Sequence, residues 1–151
     1  MQVSTAGVQL IKSFEGFRAT SYRDSAGIWT IGYGTICYKD GSKVRNGQSI
    51  TEAMAEELLM WEIGLKTAVI NHVVTSAINQ NQYDALTSFT YNVGEGALKS
   101  SSLLKLVNAN PNATFIRAGF TAWDKIHVDG ALVTNQGLLN RRIKEADLYF
   151  S

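Results

Sequence analysis

Residues 15–35 read Glu15-Gly16-Phe17-Arg18-Ala19-Thr20-Ser21-Tyr22-Arg23-Asp24-Ser25-Ala26-Gly27-Ile28-Trp29-Thr30-Ile31-Gly32-Tyr33-Gly34-Thr35. The stretch opens where a helical pattern stops. Val8, Ile11 and Phe14 recur at helical spacing with Leu10 beside them, Ser4 is placed to cap their helix, and Gly16 ends it after Glu15. From Thr20 to about Ser49 the texture changes to β-favouring runs broken at Asp24-Ser25-Ala26-Gly27 and Asp40-Gly41, which predicts two or three short strands, Ile28-Trp29-Thr30-Ile31 the clearest. Gly32 and Gly34 mark a backbone that bends or is closely approached.

Outward from this segment the chain turns helical. Thr51 caps a helix with Glu52 in its first turn, and Met54, Leu58, Trp61, Leu65 and Val69 predict about twenty residues, the longest helix. Asn79 or Asn81 opens another with Tyr83, Leu86, Phe89, Thr90 and Val93, ended by Gly94, and a short helix follows over Ser101 to Val107. Asn110-Pro111 reads as a cap and first helical position for a helix bearing Phe115, Ala118 and Trp123. Asp129-Gly130 marks a turn with a brief extended pair around it. From Gln136 a last helix carries Leu139, Ile143, Ala146 and Phe150 as its apolar stripe, with Arg141 facing Glu145.

The order predicts an α+β fold: one catalytic domain over 1–151, a small β-rich lobe over about 16–52, a helical part from 1–15 and 53–151, a long joining helix and a cleft. Apolar residues make up 45% and charged residues 18% of 151, enough for a core and far from the composition of disorder. A net charge of +1 gives no bulk attraction to nucleic acid or anionic membrane. Cys37 is the only cysteine, so no disulfide framework is expected. The first residues lack a basic run and an apolar run, so no signal peptide is expected, and no apolar stretch approaches the roughly 18 residues of a membrane span.

Glu15 and Asp24 lie nine positions apart, and Thr30 follows six later. Glycoside hydrolysis needs one carboxyl to protonate the leaving oxygen and a second as base or nucleophile, so these residue types fit that chemistry. A carboxyl at a helix C-terminus is biased toward its protonated form, which suits Glu15 to the acid's role. Acidic residues are mostly solvated surface groups, so the context raises the odds: the Glu closes an apolar helix, the Asp opens a turn and the Thr lies on the strand beyond it. Other chemistries are weaker. Gly32-Tyr33-Gly34 lacks the third glycine and the βαβ surroundings of a dinucleotide fingerprint. His72 and His127 stand in no metal-ligand spacing, and no metal or cofactor is expected. Cys37 with a remote His is a nucleophile pair that nothing local supports. Among Trp29, Tyr33, Tyr91 and Trp123, Tyr33 and Tyr91 are the better candidates to stack on sugar rings.

The chain resembles the phage-type lysozymes, endolysins of glycoside hydrolase family 24. The resemblance rests on Glu15 to Arg18, Tyr22, Asp24, Gly27 and Trp29 to Gly34. It continues through Asn81 to Leu86, Phe89 to Gly94, Ser101 to Leu104 and Asn140-Arg141-Arg142 with Glu145 and Leu148. It implies a lysozyme-like fold and hydrolysis of the β-1,4 bond between N-acetylmuramic acid and N-acetylglucosamine in bacterial peptidoglycan. Glu15 would be the general acid, and Asp24 with Thr30 would position the water for inversion. An inverting pair stands about 6.5–9.5 Å apart, a retaining pair about 5–5.5 Å. By the same carry-over Tyr91 and Ser101 line the glycan cleft and Arg141 lies near the acid, where it lowers the pKa that apolar surroundings near Phe14 and the helix end raise; a part-protonated Glu15 near neutral pH is the expectation. Thr35 stands where many members carry His, and Arg117 aligns loosely with a polar cleft position.

The resemblance further implies a monomer that waits in the host cytoplasm until a separate membrane pore protein releases it to the wall and the host lyses. The competing readings are a lytic transglycosylase, which cleaves the same bond without water, and a catalytically silent sugar-binding protein. The filled Asp24 and Thr30 positions weigh against both. The long helix from Thr51 is a candidate hinge for admitting glycan.

Overall fold

The computed structural model describes all residues, Met1–Ser151. Along the chain they form α1 (Thr5–Glu15), β1 (Arg18–Arg23), β2 (Trp29–Gly32), α2 (Glu52–Thr67), α3 (Ile70–Val73), α4 (Gln80–Val93), α5 (Glu95–Ser100), α6 (Ser102–Ala109), α7 (Ile116–Thr121), β3 (Lys125–Val128), β4 (Ala131–Thr134) and α8 (Gln136–Tyr149). The α+β expectation is met. Two compact units emerge: Val8–Leu65, and Met1–Gly7 with Lys66–Ser151.

In the unit Val8–Leu65, β1 and β2 pair antiparallel, Tyr22 opposite Thr30 and Arg23 opposite Trp29, with a bulge between Arg18 and Tyr22. Past β2 the chain adds only isolated bridges, Thr20 to Ser49, Ile31 to Thr35 and Cys37 to Lys43. The buried side chains are Ile11, Ile31, Tyr33, Val44 and Ile50 with Ala55, Leu58, Leu59 and Ile63 of α2. Thr51 caps α2 as expected, its Oγ1 accepting from Met54 N at 3.2 Å. The expected stripe along that helix holds at Leu58 and fails at Met54 and Leu65. Met54 and Leu65 are 55% and 63% exposed, and the buried face runs through Ala55, Leu59, Glu62 and Ile63. Glu62 at a buried position disguises that face, and the run Leu58-Leu59-Met60-Trp61 fits either one. The helix ends at Thr67, short of Val69.

The other unit is built on α4, whose residues Gln82–Thr90 are all buried. A helix surrounded on every side must satisfy its polar groups from neighbours. Asn79 and Gln82 form a capping box, Gln82 Nε2 donates to Pro111 O at 3.1 Å, and Thr90 Oγ1 donates to Leu86 O at 2.7 Å. Asp84 accepts from Ser4 N at 2.9 Å and from the Ser4 hydroxyl, which fastens the start of α1 within this unit. Against α4 pack Leu98, Leu103, Leu104, Val107, Ile116, Phe120, Ala146 and Tyr149, with Phe89 edge-on to both Phe120 and Trp123 at centroid distances of 5.8 and 5.6 Å.

Three sequence expectations need correction here. Asn110-Pro111 opens a turn, not a helix: Asn110 Oδ1 accepts from Asn112 N at 3.0 Å and Asn110 O from Ala113 N at 3.1 Å, so the side chain that would cap a helix closes a local loop. Helix α7 begins at Ile116, Phe115 is 73% exposed, and Trp123 lies past the helix end. Helix α5 was not expected; its six residues end at the cap of α6. On α8 Ile143 and Phe150 are 39% and 38% exposed, while Arg141, Arg142 and Glu145 face inward. The Asp129-Gly130 turn is as expected: with φ of 49° and 80° it closes the β3–β4 hairpin, Val128 opposite Ala131.

The inward charges of α8 form one cluster. Arg142 Nη2 donates to Glu145 Oε1 at 2.9 Å and to Asn92 Oδ1 at 3.0 Å, and Arg142 Nε lies 2.7 Å from Glu145 Oε2. Arg141 Nε donates to the same Oε1 at 3.1 Å, and Ser88 Oγ donates to it at 2.7 Å. Burial pushes the Glu145 carboxyl up, against the pull of Arg142, Ser88 and Arg141. Because one carboxylate answers two guanidiniums, Glu145→Ala leaves buried charge unpaired and is expected to cost about 3–5 kcal/mol in urea unfolding. A loss below about 1 kcal/mol contradicts the pairing.

Tyr149, which donates to Pro111 O at 2.8 Å, is pushed up to about 12 by burial from 10.0. The folded protein therefore holds this proton more tightly than the unfolded chain does. The contribution, about 2–3 kcal/mol, is complete below pH 10 and is lost as pH rises through about 12. Thermal melts between these limits are expected to fall less steeply for Tyr149→Phe than for the parent.

Candidate active site

Glu15 is the last residue of α1, and Gly16 N donates back to Lys12 O at 3.1 Å to close that helix. The half-buried Glu15 side chain turns toward the backbone after β2: a Cβ built on Gly34 would stand 3.6 Å from Glu15 Oε2. A Cβ at Gly34 would thus only touch the carboxyl at van der Waals distance, and it is the φ of 94° that favours glycine there.

Asp24 follows β1 directly and its carboxylate organises the turn to β2. Oδ1 accepts from Ala26 N and from Ile28 N, both at 2.9 Å. The main chain closes the same loop, with Asp24 N donating to Ile28 O at 3.0 Å and Gly27 N to Asp24 O at 2.9 Å. Ile28 O also accepts from Thr30 Oγ1 at 2.9 Å. The main chain of one residue, Ile28, thus bonds both side chains, its N–H to Asp24 and its C=O to Thr30. Oδ2 of Asp24 takes no donor from the protein, so one oxygen is fixed by backbone and the other is open. That division suits a carboxylate that must hold a water: rigid on one side, available on the other. Thr30 is 4% exposed, and with its proton committed to Ile28 its hydroxyl oxygen remains an acceptor.

The unit thus brings Glu15, Asp24, Thr30 and Tyr33 onto one short frame. Tyr33, expected to stack on sugar, is 3% exposed, its hydroxyl donates to Glu52 Oε1 at 2.9 Å, and its ring lies 5.5 Å from that of Phe17, so neither face is free for a pyranose. Trp29 carries Arg23 at 5.0 Å from its ring. Thr35 is tied to Ile31 by reciprocal backbone bonds of 2.9 Å. Cys37 is free and half-buried, and no group of three or more His, Cys, Asp or Glu is arranged to hold a metal ion.

Of the candidates in the other unit, Tyr91 is half-buried with Lys66 Nζ 4.5 Å from its ring centroid, and it borders an open pocket of about 360 Å³ with Asn92 and Glu95. Arg141 belongs to the Glu145 cluster and also donates to Ser88 O at 3.2 Å. Arg117 pairs with Asp147 at 2.7 Å on the surface. Ser101 is 2% exposed, and its hydroxyl accepts from Leu104 N at 3.0 Å while donating to Leu98 O at 2.7 Å. It caps α6 and closes α5, and both hydrogen-bonding capacities are engaged in doing so. Sequence reading missed the role of Ile28, since a main-chain acceptor carries no residue signature; the Asp24 turn was the only signal of it.

The profile of the phage lysozyme family matches residues 12–145, a span that includes Glu15, Asp24 and Thr30. The chain belongs to the phage lysozyme family. It is therefore a lysozyme, a glycoside hydrolase, with the lysozyme-like fold. It is 42% identical to an endolysin of Bacillus phage PZA over its whole length, spanning 56% of that protein, so about half of this relative lies outside the match. Among solved structures, an endolysin from Escherichia coli O157:H7 phage FAHEc1 superimposes with a TM-score of 0.92 at 43% identity, covering 99% of this chain and 93% of that one. The muramidase domain of SpmX from Asticaccaulis excentricus does so with 0.88 at 33%, covering 99% and 98%. No helix of the chain is long and apolar enough to cross a membrane.

Ser101 separates packing from sugar contact. Ser101→Ala is expected to lower stability by about 1 kcal/mol while leaving kcat/KM for cell-wall substrate unchanged; a fall in kcat/KM with unaltered stability gives it a sugar-binding role instead.

Proposed function

We propose that the protein is an endolysin that hydrolyses the β-1,4 bond between N-acetylmuramic acid and N-acetylglucosamine of bacterial peptidoglycan with inversion. The single observation that supports this most is the divided carboxylate of Asp24, one oxygen fixed by Ala26 N and Ile28 N and the other open, with the Thr30 hydroxyl tied to the carbonyl of the same residue, Ile28. In this reading Glu15 gives its proton to the glycosidic oxygen as the C–O bond breaks. A water held by Asp24 Oδ2 and Thr30 Oγ1 attacks the anomeric carbon from the opposite face and passes a proton to Asp24. Exchange with solvent returns both carboxyls to their starting forms. Thr30 accepts a water proton and thereby aims the water's lone pair. Tyr91 and Arg141 are the proposed substrate-binding residues of the other unit.

The whole chain then serves as one catalytic domain, working as a monomer with no cofactor. Release from the host cytoplasm to the wall through a separate membrane pore protein, and host lysis after it, belong to the same proposal and find support in the endolysin relatives.

Two substitutions test the roles. Asp24→Asn keeps an oxygen for the two backbone donors and removes only the base, so the fold is expected to survive while lysis of cell-wall suspensions falls about 10²–10⁴-fold. Glu15→Gln is expected to fall as far. A fully active Asp24→Asn protein excludes the two-carboxylate mechanism.

A further inference from the structure

The one buried side chain between Gly32 and Gly34 grips the end of α1 on both sides of Glu15. The Tyr33 ring lies 5.5 Å from the ring of Phe17, two residues after Glu15. Lys12 Nζ, three residues before Glu15, lies 5.2 Å from the Tyr33 ring centroid. The far end of Tyr33 is fixed to α2, where its hydroxyl donates to Glu52 Oε1 at 2.9 Å, and Lys12 is fixed one turn on, donating to Glu56 Oε2 at 2.9 Å.

The flanking glycines set how closely this side chain is carried. A Cβ on Gly32 would lie 3.0 Å from the Ala55 Cβ of α2, so the backbone before Tyr33 rests directly on that helix. A Cβ on Gly34 would lie 3.6 Å from Glu15 Oε2, so the backbone after Tyr33 forms a wall for the carboxyl. Burial and the bond to Glu52 both raise the Tyr33 phenol, which keeps it a neutral donor across the working range.

We propose that Tyr33 is a positioning residue for Glu15, acting through its hydroxyl's anchor on Glu52, and not the sugar-stacking residue its type suggests. Resting as it does on the reading of Glu15 as the acid, the inference places no atom of Tyr33 on the substrate. It assigns the Tyr33–Glu52 bond a share in the geometry of protonation, where errors of an ångström in placing a catalytic group cost up to about a hundredfold in rate.

The test is a set of variants read by kcat, KM and melting temperature. Tyr33→Phe keeps the ring contacts with Phe17 and Lys12 and removes the hydroxyl's bond to Glu52 together with its interaction with Lys12, so Glu52→Ala isolates the anchor; kcat is expected to fall about tenfold with KM unchanged. Glu52→Gln retains a carbonyl acceptor and is expected to keep kcat within about twofold of the parent, while Glu52→Ala reproduces the Tyr33→Phe loss. A Tyr33→Phe enzyme with parental kcat overturns the inference, as does one whose loss lies wholly in KM. Glu15→Gln runs beside them. Full activity there removes the reading of Glu15 as acid, whereas an inactive Glu15→Gln with a normal Tyr33→Phe removes only the positioning role.

Discussion

The main chain at Ile28 is the constraint on which the rest of the site depends. Its N–H and C=O face the same way into the β1–β2 turn, so the carboxylate of Asp24 must accept on one oxygen and the hydroxyl of Thr30 must donate inward. What remains unengaged is one carboxylate oxygen of Asp24 and the acceptor capacity of the buried Thr30 hydroxyl. A water placed there meets two acceptors for its two protons and is left with its lone pairs directed away from the turn. Acceptors without a neighbouring donor suit the protons of a water better than an anion, which is the ground for proposing a water there. The same bonds make the two residues move as one body, which limits the reorganisation required when charge develops.

The helical unit solves a different problem. Helix α4 is surrounded, and α8 brings two guanidiniums and a carboxylate against it. The cluster holds only because each charge finds partners, Ser88 and Asn92 from α4 and Glu145 from α8 itself. Apolar packing through Phe89, Phe120, Trp123 and Tyr149 surrounds it, and Arg142 lies 5.1 Å over the Phe89 ring. Such a buried network specifies one arrangement of α8 against α4 more sharply than an apolar stripe does, at a cost in desolvation.

Much of this was legible in the sequence. Local signals carried furthest: Gly16 after Glu15, Thr51 before Glu52, the Asn79 cap and the Asp129-Gly130 turn each stand where chain chemistry alone puts them. What hydropathy misplaced were helix faces. Glu62 on α2 and Arg141, Arg142 and Glu145 on α8 are polar residues with inward positions, and a period count assigns them to solvent. Asn110-Pro111 failed for a related reason, since the Asn side chain that caps helices also closes Asx turns and only the surroundings choose. At the site the residue types pointed to a chemistry, whereas the burial of Tyr33 and Ser101 and the partners of their hydroxyls were not legible in them. A tyrosine or serine in a sugar hydrolase suggests a sugar contact, while here both side chains are buried and their hydroxyls bond Glu52 and Leu98.

The central claim is that Asp24 and Thr30 deliver a water to the face opposite Glu15, and the product's configuration tests it most directly. Proton NMR of soluble glycan fragments in the first minutes of hydrolysis, before mutarotation, reads the anomer formed at the new reducing N-acetylmuramic acid. Inversion of a β-linked substrate predicts the α anomer. Initial appearance of the β anomer, or a 1,6-anhydro end in place of a reducing one, contradicts the account.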